Sequence, residues 1–437
     1  MRTFTTYRTI KREILFTNND YDNQVKQYLF ENMWYRRKIY NIGVEYIHKL
    51  EEYNANVDKK DRKYFNRFEF DKYFHKTYEK EGCPLHEEFK TKVKGIRAMV
   101  ARNLYEANEI VWRTRKTKNI SANLHFCKYN RNCQSFSIVN KYMETDNKTK
   151  RMLQVYNDGY KLKFHCYGLK SKSLKINLTL KESIYSDNKY IFNELDIYEV
   201  HFLFDNGKWF ILLPTKVTMK FYYKHKEKLA GIDEGERNSV TLYDGENVTM
   251  INTLYGESLE KVKRIQKRIS KVQSHMDNKV YGSNNYNKTL DHFNKLYRKM
   301  YNIANDRRKK LACYISRKYK NLIVDEFNVP IATKDMNITK DNRRRINKKM
   351  QLTGMGYFKQ DLITACESYN SNYYKALSNT TRQCSNCGFI NDPLPLSKKY
   401  LKCSICGTKI HRDENAAINC YNQYDEIDKY YNIMINI

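Results

Sequence analysis

Leu229-Ala230-Gly231-Ile232-Asp233-Glu234-Gly235 is an apolar run of strand length that ends on acid, and Leu322-Ile323-Val324-Asp325-Glu326 repeats that pattern further along the chain. Short apolar runs bounded by turn formers read as buried strands. Ser239 to Tyr243 adds another strand, closed by the turn pair Asp244-Gly245. Two basic helices follow. The first puts Leu259, Val262, Ile265, Ile269, Val272 and Met276 on one side, and the second runs from about Asp291 to Tyr319. Strands and helices alternate, so this half of the chain is α/β.

Upstream the pattern differs. Thr5 to Phe16 alternates polar and apolar like a strand. Asn18, Asn19 and Asp20 then offer caps to a long helix, with Val25, Leu29, Met33, Tyr40, Val44 and Ile47 at helical spacing and Arg36, Arg37 and Lys38 among them. A second helix carries the stripe Phe89, Val93, Ile96, Val100, Leu104 and Ile110, with Lys90, Lys94, Arg97 and Arg102 off it as a basic face open to solvent or nucleic acid. After the basic tract Arg113-Thr114-Arg115-Lys116-Thr117-Lys118 come short strands: Gln134 to Val139, Lys161 to Tyr167, Leu174 to Leu180, Tyr198 to Phe204 and Lys208 to Leu213. The last two flank Asn206-Gly207, a pair suited to tight hairpins. A strand, a helical insertion and more strands predict an N-terminal β-barrel that carries a helical bundle. The charged stretch from Thr215 to Lys228 marks the next boundary. The whole is expected to be an α+β multidomain protein.

Composition narrows the class of partner. With 437 residues, 41% of them hydrophobic, the chain can build cores for two or three domains, and 38 tyrosines argue against a disordered tail. Lys and Arg number 80 against 49 Asp and Glu, a formal charge of +31. Such an excess repels itself unless a polyanion accompanies it, so nucleic acid is the natural partner. No apolar run is long enough to span a membrane, and Met1-Arg2-Thr3-Phe4 leads straight into strand-like sequence rather than a signal core. Four of the 11 cysteines form one array and the other seven are scattered, the usage of a reducing, intracellular compartment.

That array is Cys384-x-x-Cys387, fifteen residues, then Cys403-x-x-Cys406, with Gly388 and Gly407 after each pair. Two such knuckles present four thiolates to one tetrahedral Zn²⁺. A closed site of this kind has no open position for chemistry, so the zinc is structural. The acids are different. Asp233 ends one strand, Asp325 and Glu326 end another, and Asp413, in His411-Arg412-Asp413-Glu414-Asn415-Ala416-Ala417, sits where a helix starts. Converging carboxylates suit Mg²⁺, a hard cation that keeps sites for water and phosphate. Taken singly, an acid at an element's end is more often a cap or a surface charge than a catalytic group.

The order of these motifs adds to that reading. Gly231-Ile232-Asp233-x-Gly235, Ile323-Val324-Asp325-Glu326-Phe327-Asn328-Val329, Cys384-Ser385-Asn386-Cys387-Gly388 and Arg412-Asp413-Glu414-Asn415-Ala416-Ala417 resemble the split RuvC nuclease of the TnpB proteins and the miniature type V (V-F-like) CRISPR effectors. The resemblance runs from about Leu229 to Cys420, with lesser similarity at Tyr35-Arg36-Arg37-Lys38-Ile39-Tyr40-Asn41 and Gly207-Lys208-Trp209. It implies an RNase H-like nuclease with an inserted zinc ribbon, behind a wedge barrel bearing a helical recognition insertion. The implied boundaries are 1–18 for the first wedge strand, 19–116 for the helical insertion and 117–225 for the rest of the barrel. RuvC then occupies 226–379, the zinc-bearing target-nucleic-acid-binding insertion 380–410, and the third motif with the C-terminal helix 411–437.

The resemblance further implies an RNA-guided DNA endonuclease, with Asp233 and Asp413 as first and third Mg²⁺ ligands. At the second position the family writes Glu-Asp-Leu and this chain has Asp325-Glu326-Phe327. Register points to Asp325, with Glu326, on the opposite face of the strand, as the alternative. The implied partners are a guide RNA, either a CRISPR RNA or a transposon-end RNA, and double-stranded target DNA. The protein would bind one guide as a monomer or homodimer, in the cytoplasm at the nucleoid. Arg36, Arg37, Lys38, Arg113, Arg115, Lys116 and the tract Arg343-Arg344-Arg345 are the nucleic-acid-binding candidates. Three rivals stay open: a guided DNA binder with weak or lost cleavage, an RNA-independent transposase, and a zinc-ribbon protein that binds RNA without a guide.

Overall fold

The computed structural model describes residues 2–17, 19–80, 82–83, 85, 95–118, 122–130, 133–140, 142–145, 148–167, 173–186, 190–191, 197–221, 227–235, 239–326, 355–394 and 398–435. They divide into two compact units, one of Thr3–Lys220 and one of Phe221–Ile437 with Met1–Arg2.

The first unit opens with β1 (Arg2–Leu15) and a 36-residue helix, Asp20–Ala55. Asn19 starts that helix, its side-chain oxygen accepting from the Asp22 amide at 2.7 Å, and Asp20 and Asp22 in the first turn suit the positive end of its dipole. Leu29, Tyr35, Ile39 and Val44 are fully buried on its inner face. Helices Arg67–Phe74 and Gly95–Lys118 pack against it, and Gly43 lets two of them close up: a Cβ there would stand 2.2 Å from Leu104 Cδ1. The strands then follow as β2 (Cys133–Val139), β3 (Tyr142–Thr145), β4 (Lys148–Arg151), β5 (Leu153–Tyr156), β6 (Lys161–Tyr167), β7 (Ser173–Leu180), β8 (Tyr190–Ile191), β9 (Glu199–Asp205) and β10 (Lys208–Phe221). The main sheet runs β2-β9-β10-β1-β7-β6-β5, with β8 beside β10, while β3 and β4 pair separately. Asn206 and Gly207, both at positive φ (48° and 84°), make the turn between β9 and β10.

The boundary expected in the charged stretch Thr215 to Lys228 falls between Lys220 and Phe221, and β10 runs well past Leu213 toward it with Thr215 and Val217 buried. The count of charges hid an alternation in which every second residue faces the core. Arg97 and Arg102 lie off the apolar stripe, Arg102 exposed, and both are ion-paired. Arg97 bonds Asp71 at 2.7 Å and also Glu79, whose carboxylate the buried Tyr35 hydroxyl donates to; Arg102 bonds Glu199 at 2.6 Å and Glu106 at 2.9 Å. Phe89, Lys90, Val93 and Lys94 lie outside the described residues.

The second unit is built on β11 (Glu227–Glu234), β12 (Val240–Tyr243), β13 (Val248–Ile251), β14 (Tyr319–Asp325) and β15 (Asn372–Lys375), in the order β13-β12-β11-β14-β15. The flanking pairs β11–β12 and β12–β13 are antiparallel, whereas β11, β14 and β15 run parallel. Two of the parallel strands, β11 and β14, are the apolar runs, with Ile232, Leu322, Ile323 and Val324 wholly buried, as strands covered on both faces must be. Helices Gly256–Asp277 and Asn284–Lys318 pack through Val262, Ile265, Ile269, Leu296 and Met300. The second starts earlier than its sequence pattern suggests, because Ser283 caps it by accepting from the Tyr286 amide. Helix Phe358–Tyr369 is tied to it by a buried ion pair, Arg308 to Asp361, at 2.5 Å. A small hairpin, β16 (Tyr400–Lys402) with β17 (Lys409–His411), precedes helices Arg412–Asn422 and Tyr424–Ile435. Among the described residues no helix is long and apolar enough to cross a membrane, and no cysteine is in a disulfide.

Candidate functional site

β11 and β14 lie side by side in parallel, and their register pairs Asp233 with Asp325. Both acids therefore leave the sheet at the same edge, the carboxyl ends of adjacent strands, where open α/β sheets gather their ligands. The third acid arrives on a helix. Gly231 permits this, because a Cβ on it would stand 2.1 Å from the Ala417 carbonyl oxygen and 2.4 Å from the Tyr421 nitrogen. With no side chain in the way, helix Arg412–Asn422 presses its Ala416 and Ala417 face onto the strand, and both alanines are fully buried. Asp413, in that helix's first turn, is 8% exposed, and its Oδ2 is buried without a hydrogen-bond partner among the described residues.

The electrostatics follow from this crowding. Burial pushes the Asp233 carboxyl well above the usual aspartate range, and the neighbouring charges of Asp325 and Asp413 push it further, against the pull of the Arg412 guanidinium. Burial also raises Asp325, although the Thr380 hydroxyl donates to its Oδ2 and Lys375 and Arg412 act in the opposite sense. Glu326 is held elsewhere. Lys359 pairs with it at 2.8 Å and the Tyr373 hydroxyl donates to it at 2.9 Å. Burial raises its carboxyl, yet these two partners outweigh that and leave it below the usual range. Arg412, Thr380, Lys375 and Lys359 are neighbours of these acids that the sequence pattern alone does not single out. Arg412 was legible as the residue beside Asp413; the others become adjacent only through folding.

The donor set fits a divalent cation. Three carboxylates share a buried edge where the charges of Asp325 and Asp413 oppose ionisation of Asp233, and one Asp413 oxygen is left over. They are not drawn together as tightly as the cysteines, which alone among the described residues bring their ligand atoms within 4.8 Å of one another.

In that second cluster Cys384 Sγ lies 3.6 Å from Cys406 Sγ, and Cys387 Sγ lies 3.6 Å from Cys403 Sγ. Sulfurs about 2.3 Å from one tetrahedral zinc stand about 3.8 Å apart, so the four thiols have the spacing such an ion requires. Each knuckle closes on a glycine at positive φ, Gly388 at 76° and Gly407 at 72°, whose amides donate to the Cys384 and Cys403 carbonyls at 2.8 and 3.1 Å. Asn415 and Asn419, on the helix that carries Asp413, donate to the Gln383 carbonyl, each at 2.7 Å.

The basic candidates divide. Arg36 donates to Cys127 Sγ and stacks over Tyr40, Arg37 over Tyr129 and Lys38 over Trp34, all half-buried. Arg115 is committed internally, to Glu51 at 2.8 Å, Asn123 at 2.7 Å and the Ala122 carbonyl. Arg113 and Lys116 are exposed. Arg343, Arg344 and Arg345 lie outside the described residues, as do Phe327, Asn328 and Val329 of the second motif.

Parts of this chain are similar to known proteins. Residues 213–335 match a family model described as "Probable transposase", and residues 356–420 match one described as "Cas12f1-like, TNB domain". TnpB-like protein L79 of Acanthamoeba polyphaga mimivirus is 30% identical over 224 residues, 49% of this chain and 41% of the relative. "Putative RNA-guided DNA endonuclease InsQ" of Escherichia coli (strain K12) is 22% identical over 221 residues, 49% of this chain and 53% of the relative. The chain thus spans about half the length of the curated relatives it matches. The α+β fold is similar over 96% of this chain and 99% of the other to the protein in a cryo-EM structure of a Cas12f1-sgRNA-target DNA complex, at a TM-score of 0.59 and 12% identity. On these grounds the chain is similar to the TnpB-like proteins and, over residues 356–420, to the Cas12f1-like proteins.

Proposed function

We propose that this protein is an RNA-guided DNA endonuclease whose single hydrolytic site is made by Asp233, Asp325 and Asp413. One observation carries the reading: two aspartates are register partners at the carboxyl ends of parallel strands, and a helix N-terminus adds a third, buried and with an oxygen to spare. A purely structural set of acids would be capped or paired, as Glu326 is. Asp325 is the second ligand in this reading, because Lys359 and Tyr373 keep Glu326 on other duty.

Asp233, Asp325 and Asp413 would hold Mg²⁺. Bound there, the ion supplies Lewis-acid polarisation of a phosphodiester and a reactive water at neutral pH. The chain's own residues do the rest. Arg412 offsets part of the repulsion among the acids, and Thr380 fixes the Asp325 carboxylate. The four cysteines hold a structural Zn²⁺. The sheet of the second unit, with acids on its central parallel pair and antiparallel strands on one flank, supports an RNase H-like (RuvC) reading. The sheet and helices of the first unit support a wedge barrel with a recognition insertion. A guide RNA would select the target by base pairing while Lys and Arg hold the backbones.

The test is cleavage of a guide-matched duplex by the purified ribonucleoprotein in Mg²⁺. Asp233→Ala, Asp325→Ala and Asp413→Ala should each lower the rate by more than about a hundredfold, since even an outer partner of a metal ligand is worth roughly 10- to 100-fold. Glu326→Gln should stay within about tenfold of the parent. A complex that shifts the duplex and never cuts it is a guided binder instead. Joining of transposon ends without RNA would mark a transposase.

A further inference from the structure

We propose that Thr380 is a positioning residue for the acidic cluster, and that through it the folded four-cysteine ribbon sets the orientation of the Asp325 carboxylate. The inference rests on the reading of these acids as a divalent-cation site, and deepens it.

Thr380 is 3% exposed, and its hydroxyl donates to Asp325 Oδ2. That bond fixes one carboxylate oxygen and leaves the other for a cation. The Thr380 backbone is itself held: its carbonyl accepts from Asn419 Nδ2 at 2.7 Å and from Asn415 Nδ2 at 3.3 Å. The same two amides also hold the Gln383 carbonyl, and Asn415 Oδ1 accepts from the Ser385 amide at 2.9 Å. Ser385 lies inside the first knuckle, next to Cys384, which is 1% exposed. An unbroken series of bonds therefore runs from the sulfur cluster through Ser385, Asn415 and Thr380 to Asp325.

Asn415 and Asn419 are 0% and 4% exposed, and their helix is the one that delivers Asp413. Buried amides that each hold two carbonyls through Nδ2 favour one arrangement over several. The clamp thus fixes two acids at once: Asp413 by its place on the helix and Asp325 by way of Thr380. The ribbon keeps residues 380–385 in the clamp only while its knuckles are folded, and small sites of this kind fold with their metal. Outer partners that orient a ligating carboxylate are typically worth 10- to 100-fold in metal affinity.

The experiment is titration of the full chain with Mn²⁺ by calorimetry, without nucleic acid. Thr380→Val keeps the side-chain volume and removes the donor. It should weaken Mn²⁺ binding about tenfold, and Thr380→Ser should restore it. Joint replacement of the exposed ligands Cys387→Ser and Cys406→Ser should weaken it in the same direction. Thermal melts of each variant show whether it is folded. A Thr380→Val protein that binds Mn²⁺ as the parent does overturns the proposal. Weakening by Thr380→Val but not by the cysteine pair removes the ribbon from it. If Asp325→Ala and Thr380→Val both weaken Mn²⁺ binding while the ribonucleoprotein cuts nothing, the nuclease reading fails and the positioning role stands. If Asp325→Ala leaves Mn²⁺ binding untouched, both fall.

Discussion

Asp233 is a buried carboxyl whose proton affinity is raised by burial first and by Asp325 and Asp413 next. The sign of the resulting pH dependence is set by that direction. In the unfolded chain Asp233 ionises near 3.8, whereas in the fold it holds its proton to higher pH. Its contribution to stability is therefore full below 3.8, falls as pH rises toward the raised folded value, and then levels. In EDTA at neutral pH, Asp233→Asn should melt several degrees above the parent, and the gap should close in acid. Adding Mg²⁺ should raise the parent's melting temperature and leave the variant's unchanged, by simple linkage. Equal melting curves in EDTA would mean that the carboxyls do not strain one another. The acids were legible in the sequence because each ends an element. Register in the sequence already favoured Asp325 over Glu326; the Lys359 and Tyr373 contacts that occupy Glu326 were hidden, since only the fold brings them to the strand. Thr380, Asn415 and Asn419 were silent for the same reason.

At the scale of elements, the approach of helix Arg412–Asn422 to β11 is set by the missing side chain of Gly231. Gly231→Ala puts a methyl group into the Ala417 carbonyl, a backbone atom that cannot swing aside. The helix must lift, at a cost of about 1–3 kcal/mol typical of overpacking, and Asp413 lifts with it. Chemical denaturation should show a lower midpoint, and cleavage should fall by far more than stability does. Strands were read well where turn residues bounded them: Lys161–Tyr167 and the Asn206-Gly207 hairpin came out as the pattern predicts. They were read poorly where strong charge masked alternation, as in β10 beyond Leu213. The long helix ending at Lys318 was found late at its N-terminus because Ser283, its cap, stands in a polar stretch with no apolar stripe to announce it.

For the whole molecule the dominant quantity is the excess of 80 basic over 49 acidic side chains. Not every cation in that balance is available to a polyanion. Arg113 and Lys116 are exposed, while Arg115 between them is bound to Glu51, Asn123 and a backbone carbonyl. Where an exposed cation contacts phosphate, removing it should make the slope of log affinity against log salt shallower by about 0.7 on single-stranded nucleic acid. Arg113→Ala and Lys116→Ala should each do so in RNA-binding titrations across ionic strength. Arg115→Ala should leave the slope alone and lower the melting temperature instead. A sequence lists these three as one basic tract; burial and pairing divide them.

β11 and β14 are hydrogen-bonded neighbours although two long helices separate them in the chain, and the third acid arrives later still, on the far side of the cysteine knuckles. A ribosome therefore exposes Asp233 long before anything exists for it to work with. Contacts so distant in sequence form slowly and late. If these acids are the proposed hydrolytic site, it is incomplete throughout most of translation, and a product interrupted before Asp413 would carry the basic helices without the means to break a phosphodiester.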